Sequence, residues 1–143
     1  KVISPVKEFT AGKFREIYED DYVTNKNVKR VLLCTGKVYY DLLEKQQEDK
    51  RKDVAIIRIE QLHPFPMNQI DKALKKFNEP EIFWVQEEPS NMGYWTYMLR
   101  TIANKAGLQL ISRKSSASPA TGYAKVHKAE QEALVEKAFD TKK

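Results

Sequence analysis

The fold class follows from one short run, Val54-Ala55-Ile56-Ile57-Arg58-Ile59. The run is β-branched and apolar on both of its faces, which is typical of a strand buried inside a covered sheet. Three other short runs have the same apolar character, at residues 30–35, 81–86 and 108–112. Helical patterns alternate with the strands, at residues 38–52, in the segment after Pro66, and at residues 92–105 and 125–139. This alternation predicts an α/β domain of three layers, a mainly parallel sheet with helices on both faces.

The first part of the chain lacks this rhythm. Residues 14–18 alternate like an edge strand, and turn-like polar clusters follow them. We therefore predict an arm or linker at residues 1–28 and the α/β domain at residues 29–143. The opening residues show neither an initiator Met nor the apolar core of a signal peptide, so we expect a piece of a longer chain.

The composition of the chain argues against several classes of function. The net charge is +5, but bases and acids are interleaved and no aromatic–basic stripe appears, which argues against a nucleic-acid partner. No apolar run approaches the roughly 20 residues of a membrane span, so no membrane partner is expected. The single cysteine, Cys34, lies in an apolar strand and indicates a buried thiol in a reducing compartment. The histidines, His63 and His127, are isolated from it and lack the spacing of a metal site.

The loops that follow the strands are the candidate binding sites. Right-handed crossovers bring the carboxyl ends of parallel strands to one edge, where ligands of such sheets usually bind. Thr35-Gly36-Lys37 joins a strand to a helix, and residues 113–123 combine two cations with four hydroxyls. Together they predict a pocket for a phosphate or carboxylate. The alternatives are a simple turn with a solvated lysine, and serines that only cap the last helix.

Two adjacent carboxylates, Glu87 and Glu88, follow the third long strand. Neighbours on an extended backbone point to opposite sides, so they do not form an acid–base pair. An interface role or a salt bridge to the basic loops is the better interpretation. No nucleophile–base–orienter set is apparent in the sequence, which predicts no catalytic residue in this chain.

Several segments resemble the C-terminal domain of the decarboxylating component of 2-oxoglutarate dehydrogenase, a thiamine-diphosphate enzyme family. The most specific are Gly36-Lys37-Val38-Tyr39-Tyr40-Asp41-Leu42 and, at residues 58–66, Arg-Ile-Glu-Gln-Leu-His-Pro-Phe-Pro. The matching segments occur in order and comprise residues 31–42, 54–66, 84–89, 115–123 and 126–127. The resemblance implies a transketolase C-terminal-like α/β domain. The related 2-oxoadipate enzymes share this pattern, so the resemblance leaves the 2-oxoacid open between the two.

The resemblance also implies a setting for the domain. Thiamine diphosphate and magnesium bind between two preceding domains that this chain does not contain, and the fragment alone is expected to be inactive. The full-length enzyme is expected to be a homodimer that transfers succinyl to the lipoyl group of the succinyltransferase component and works with dihydrolipoyl dehydrogenase. The implied location is the bacterial cytoplasm or, in a eukaryote, the mitochondrial matrix. Anion or effector contacts, with AMP or acetyl-CoA as the ligand, are expected at Gly36, Lys37, Arg58, Arg113 and Ser118.

Two functions of different classes remain at this point. The first is a non-catalytic domain that supports dimer assembly and effector binding in the dehydrogenase. The second is an autonomous nucleotide- or CoA-binding α/β module.

Overall fold

A computed structural model of the chain describes residues 2–23, 26–103 and 107–141. Its strands are β1 (Ile17–Tyr18), β2 (Arg30–Cys34), β3 (Val54–Ile59), β4 (Glu81–Pro89) and β5 (Gln109–Arg113). Its helices are α1 (Val6–Thr10), α2 (Val38–Glu48), α3 (Met67–Leu74), α4 (Trp95–Met98), which continues as a π-helical turn (Leu99–Ala103), and α5 (Ala124–Phe139). No helix within these ranges is long and apolar enough to cross a membrane.

The five strands form one sheet in the order β1-β3-β2-β4-β5. Four of them are parallel, and only β1 is antiparallel, pairing with β3 through Ile17 opposite Ile59. The central strand β2 is buried at every position, as is β3 apart from Arg58. The prediction of a mainly parallel α/β sheet is therefore confirmed.

Both faces of the sheet are covered. On one face α3, α4 and the π-helical turn pack on strand side chains that include Leu33, Ile57 and Trp84. On the other face α2 and α5 pack on a second set that includes Leu32, Ile56 and Val85. Because successive strand residues point to opposite faces, one apolar run supplies both cores. This is the three-layer arrangement expected from the sequence.

Several element boundaries differ from the predicted ones. Helix α2 ends at Glu48 rather than at residue 52, because Lys50 takes a left-handed conformation with φ of 53°. Strand β4 continues three residues past Gln86, with an irregularity in its pairing between Val85 and Pro89. The helix predicted at residues 92–105 begins only at α4 and becomes π-helical, and its predicted end lies outside the described residues. The short helix α1 was not predicted.

The second half of the arm packs on the sheet. Ile17, Val23 and Val28 are buried in the same core as α3. Asp20 fastens this segment, since its Oδ1 accepts from the backbone N–H groups of Tyr22 and Val23 at 2.8 and 2.9 Å. The division of the chain at residue 28 into an arm and a domain stays a prediction.

The other carboxylate oxygen of Asp20 reaches the sheet. Its Oδ2 accepts from the backbone N–H of Ile56 at 2.8 Å and from the side-chain amide of Gln46 at 2.6 Å. Gln46 is fully buried and also donates to the carbonyl of Val54 at 2.9 Å. One carboxylate therefore connects the arm, β3 and α2.

Arg30, at the start of β2, joins the sheet to the end of α5. Its Nη1 donates to the carbonyls of Lys137 and Ala138, both at 3.1 Å, and its Nη2 lies 3.3 Å from Glu81 Oε2. The guanidinium also stacks 4.2 Å from the ring centre of Phe83. Carbonyls in the last turn of a helix have no partner within the helix, so this arginine caps α5 from the side.

Candidate functional site

The three cations expected to bind an anion lie along the carboxyl edge of the parallel strands. Lys37 follows β2, Arg58 lies near the end of β3, and Arg113 ends β5. Cys34 at the end of β2 is in register with Arg58 on one side and with Val85 of β4 on the other. The topology thus brings the predicted loops to one border, as the sequence indicated.

Lys37 lies at the amino end of α2, and its ammonium group contacts two carboxylates. Its Nζ lies 3.0 Å from Asp41 Oδ2 and 2.8 Å from Glu87 Oε1, and its side chain is 59% exposed. Burial alone would lower the pKa of Lys37, but its hydrogen bonds to Glu87 and Asp41 raise it above the usual value. The ion pair with Glu87 confirms the salt bridge to the basic loops. The preceding Gly36 is exposed, and its φ of 69° makes the tight turn into the helix.

Arg58 is held inside a group of aromatic rings. Its guanidinium carbon lies 4.3 Å from the ring centre of Tyr18 and 4.4 Å from that of Tyr39. Its Nη1 donates to the hydroxyl of Tyr40 at 3.1 Å, and its Nε lies 2.7 Å from Glu60 Oε1. The stacked rings and the carboxylate fix this cation in place.

Arg113 is the most enclosed of the three, with a side chain 7% exposed. Its Nη1 lies 3.2 Å from His127 Nδ1 and 3.6 Å from Glu130 Oε2. Its Nη2 donates to Gln131 Oε1 at 2.9 Å. All three partners are on α5, so Arg113 is the polar contact between the end of β5 and the last helix.

Gln131 links the Arg113 group to the Lys37 group. While its Oε1 accepts from Arg113, its Nε2 donates to Asp41 Oδ2 at 2.8 Å. The same oxygen of Asp41 accepts from Lys37. A continuous chain of polar contacts therefore runs along the edge from Glu87 through Lys37, Asp41 and Gln131 to Arg113.

A groove of about 570 Å³ lies beside this chain, between α5 and the loop that follows β5. Its walls include Lys114, Ser115, Ser118, Thr121 and Lys137. The hydroxyl-rich loop singled out in the sequence lines this groove together with lysines, but residues 35–37, the second loop of the predicted pocket, do not line it. A phosphate or carboxylate is the ligand class that such a lining suits.

The loop beside the groove is ordered by its own hydrogen bonds. Asn91 binds the backbone of Ser116 twice, donating to its carbonyl at 2.9 Å and accepting from its N–H at 3.1 Å. The hydroxyl of Ser118 donates to the carbonyl of Ala120 at 2.9 Å, and that of Thr121 to Glu130 Oε2 at 2.6 Å. In the described structure no serine hydroxyl of this loop caps α5, which instead begins after Tyr123 without a side-chain cap.

Gln86 organises the neighbouring loop from inside the protein. Its side-chain oxygen accepts from the indole N–H of Trp84 at 2.9 Å. Its Nε2 donates to the carbonyls of Pro89 and Met92 at 3.1 and 2.7 Å. A Cβ on Gly93 would lie only 2.9 Å from that Nε2, so the buried amide leaves no room for a side chain there.

The described residues do not assemble a metal-binding group. Within residues 2–23, 26–103 and 107–141, no group of three or more His, Cys, Asp and Glu could hold a metal ion. Cys34 is fully buried, and burial raises the pKa of its thiol to about 12, so it is not a nucleophile at neutral pH.

Several acceptors that surround the predicted cations were not predicted from the sequence. Asp41, His127, Glu130 and Gln131 each contact a predicted cation, and none was assigned to the site. The spacing of His127 and Gln131 was an available signal, since residues four apart lie on one face of a helix.

Comparison with known proteins identifies related sequences. The family model described as "2-oxoglutarate dehydrogenase C-terminal" matches residues 3–139. The "2-oxoglutarate dehydrogenase E1 component" of Cupriavidus necator is 41% identical over 143 residues, which covers 96% of this chain and 15% of that protein. The "oxoglutarate dehydrogenase" of Buchnera aphidicola subsp. Baizongia pistaciae is 37% identical, covering 96% and 16%. The "multifunctional 2-oxoglutarate metabolism enzyme" of Mycobacterium sp. (strain JLS) is 38% identical, covering 96% and 12%. The chain thus spans less than a fifth of the length of these curated relatives.

A solved structure described as "split gene transketolase, inactive beta4 tetramer" has the same fold. It superposes with a TM-score of 0.60 at 14% identity and covers 100% of this chain and 46% of its own. At that identity the likeness concerns architecture alone, and it confirms the transketolase-like α/β domain.

Proposed function

This chain belongs to the 2-oxoglutarate dehydrogenase C-terminal family, and from that premise we propose that it is the C-terminal domain of a thiamine-diphosphate-dependent 2-oxoglutarate dehydrogenase. The whole enzyme would decarboxylate 2-oxoglutarate and transfer succinyl to the lipoyl group of a succinyltransferase component. The supporting observation is a match over residues 3–139, together with relatives that are 37–41% identical over 96% of the chain. The greater length of those relatives favours this proposal over an autonomous binding module.

The proposal assigns the cofactor to a part of the enzyme that lies outside this chain. Magnesium prefers carboxylate and carbonyl oxygens, and the described residues do not gather enough of them to hold it. The acidic side chains at the edge are engaged instead with Lys37, Arg58 and Arg113. This domain's own contribution would be structural, in assembly of a homodimer, and regulatory, through binding of an anionic effector.

The isolated 143-residue chain is expected to show no decarboxylation of 2-oxoglutarate, even with thiamine diphosphate and magnesium added. The physical reasons are that no group of His, Cys, Asp and Glu among the described residues could hold magnesium, and that burial raises the pKa of the Cys34 thiol to about 12. Release of carbon dioxide is the measurement, with the full-length enzyme that contains this sequence as the positive control. Turnover by the isolated chain above that of a heat-denatured sample would contradict the proposal.

We place the effector at the groove and the neighbouring Lys37. A phosphate of AMP or acetyl-CoA would meet the ammonium group of Lys114 and the loop hydroxyls in this groove. Lys37 lines a second groove with His127 and Gln131 and would offer a further cation at the same edge. Arg113 is already bonded to α5, so its role would be to hold the groove in shape.

Lys37→Ala is expected to weaken AMP binding by about tenfold, the effect of losing one hydrogen bond to a charged group. Glu87→Gln is expected to strengthen it by several-fold, because a carboxylate at 2.8 Å competes with the ligand for Lys37. Isothermal titration calorimetry checks both, and Glu88→Gln serves as the matched control. Unchanged binding after both Lys37→Ala and Arg113→Ala would move the effector site elsewhere.

A further inference from the structure

Residues 2–14, which we call the apolar segment, contribute to neither core of the domain. Every residue of this segment is exposed, and its helix α1 has no buried residue. The segment nevertheless carries large apolar side chains that are 63–85% exposed, namely Val2, Ile3, Val6, Phe9 and Phe14. Elsewhere in the described structure, exposed large apolar side chains are scattered between residues 94 and 126. Single exposed apolar residues are ordinary, whereas a cluster of them is typical of a surface that another structure covers.

Helix α1 lacks the features that stabilise a free helix. It has five residues, whereas isolated helices shorter than about 12–15 residues are marginal in water. Pro5, at its N-cap position, provides no side-chain hydrogen bond. Val6 and Phe9 are three residues apart and therefore share one face, and Lys7 and Glu8 lie away from that face. So short a helix needs a surface on which to bury Val6 and Phe9, and the described residues of this domain offer none.

The apolar segment is attached to the domain only where it reaches β1. The backbone carbonyl of Glu16 accepts from the N–H groups of Glu60 and Gln61 at 2.9 and 3.1 Å. The guanidinium of Arg15 stacks 4.0 Å from the ring centre of Tyr18. Because β1 is the outer strand of the sheet, the apolar segment leaves the domain at that edge with its apolar side chains uncovered.

The relatives of the chain indicate what covers the apolar segment. The family model is described as C-terminal and matches from residue 3, so the segment belongs to the C-terminal region of this family. The three curated relatives align over 96% of this chain, which is 12–16% of their own length. Most of each relative therefore precedes the matched stretch, and the apolar segment is the part of the match nearest to it. A surface on the same polypeptide also meets the segment at a high effective concentration.

We propose that the apolar segment docks into an apolar groove on the part of the polypeptide that precedes this domain in the full-length enzyme. Val6 and Phe9 are the central contacts, and the polar residues between them stay at the border of the groove. Docking orders α1 and holds the domain against the preceding part by an apolar contact in addition to the covalent link. This inference rests on the proposed function, because it requires the chain to be the C-terminal part of a longer enzyme.

Amide hydrogen exchange of two unmodified proteins tests the docking. In the 143-residue chain, the amides of residues 6–11 are expected to exchange at nearly the rate of an unfolded peptide, because α1 has no buried side chain. In the full-length enzyme that contains this sequence, their protection factors should be about a hundredfold higher, the factor expected from burial of one large apolar side chain.

Carbon dioxide release by the same preparation of the full-length enzyme separates this inference from the proposed function. An enzyme that decarboxylates 2-oxoglutarate but leaves residues 6–11 unprotected contradicts the docking alone. A folded enzyme that is loaded with thiamine diphosphate and magnesium, yet inactive, contradicts the proposed function.

Two matched variants test the contact surface. Phe9→Asp in the full-length enzyme should abolish the added protection, because it places a carboxylate in an apolar groove. Lys7→Asp introduces the same side chain away from the apolar face and should leave most of the protection in place. In the 143-residue chain, Phe9→Asp should not change the urea midpoint, since Phe9 is 80% exposed and belongs to neither core. If Phe9→Asp prevents folding of the full-length enzyme, the comparison of the unmodified proteins decides.

Equal protection of residues 6–11 in the two unmodified proteins would overturn the proposal, as would an equal loss of protection in Phe9→Asp and Lys7→Asp. Protection that appears in the 143-residue chain together with dimerisation in analytical ultracentrifugation would identify a second copy as the occupant instead. Protection of that chain only after addition of phosphatidylcholine–phosphatidylglycerol vesicles would assign the segment to a lipid surface. Either of these results would also overturn the proposal.

Discussion

Asp20→Ala is expected to lower the free energy of unfolding by about 3 kcal/mol, since each buried donor left without a partner costs roughly 1–3 kcal/mol. The carboxylate accepts four hydrogen bonds, from the backbone of Tyr22, Val23 and Ile56 and from the side chain of Gln46. The Ile56 N–H lies in a strand and is screened from water, so no solvent molecule replaces the lost acceptor. Urea unfolding followed by tryptophan fluorescence measures the change.

The neighbouring Asp21 provides the control. It is exposed, and Asp21→Ala is expected to change the free energy of unfolding by less than about 0.5 kcal/mol. Asp20→Asn should cost about half as much, because its oxygen still accepts from the Tyr22 and Val23 N–H groups while its nitrogen faces the Ile56 N–H. Equal stabilities of the Asp20→Ala and Asp21→Ala variants would show that the carboxylate does not fasten the arm.

Arg30→Ala is expected to destabilise the protein by about 3 kcal/mol, since hydrogen bonds to a charged group contribute roughly 1.5–3 kcal/mol each. The arginine side chain is 10% exposed and serves Glu81 and two carbonyls of the last turn of α5 at once. Its loss also removes the stack on Phe83 and leaves a cavity against β4. The end of α5 should fray, so the loss of helical circular dichroism on heating should begin at a lower temperature than in the unmodified protein.

Two further variants separate charge from shape. Arg30→Lys keeps the charge, but a lysine ammonium lacks the planar guanidinium that contacts two carbonyls and Glu81 at once. About half of the loss in stability should therefore remain. Lys29→Ala, at an exposed neighbour, should have little effect. A fully stable Arg30→Ala protein would mean that water satisfies the end of α5 without help from the sheet.

The three layers and the mainly parallel pairing of the strands could be predicted because they depend on local patterns. A strand such as β3 is apolar at nearly every position, and in a chain with intervening helices this forces a covered parallel sheet. The expected border of loops at the carboxyl edge follows from topology alone. A structural feature is predictable where a single run of residues determines it.

The partners of the predicted cations could not be predicted in the same way. Arg113 meets His127 and Gln131 fourteen and eighteen residues later, and Arg30 meets the end of α5 more than a hundred residues later. Asp20 lies in an acidic run that looks like an ordinary surface turn. Such pairings are set by the packing of whole elements, which periodicity does not describe. The anion contacts at Gly36, Lys37, Arg58, Arg113 and Ser118 stay a prediction.

The buried amide of Gln86 gives a surface glycine an influence on the interior. Gly93 is exposed and has a φ of 67°, yet any larger residue there would push Gln86 away from the indole of Trp84. Trp84 is fully buried in the core. A substitution at Gly93 would therefore disturb the core through a single intermediate residue, Gln86. Position 93 should therefore tolerate as few substitutions as a buried position does, although it faces the solvent. Solvent exposure alone would not predict this intolerance.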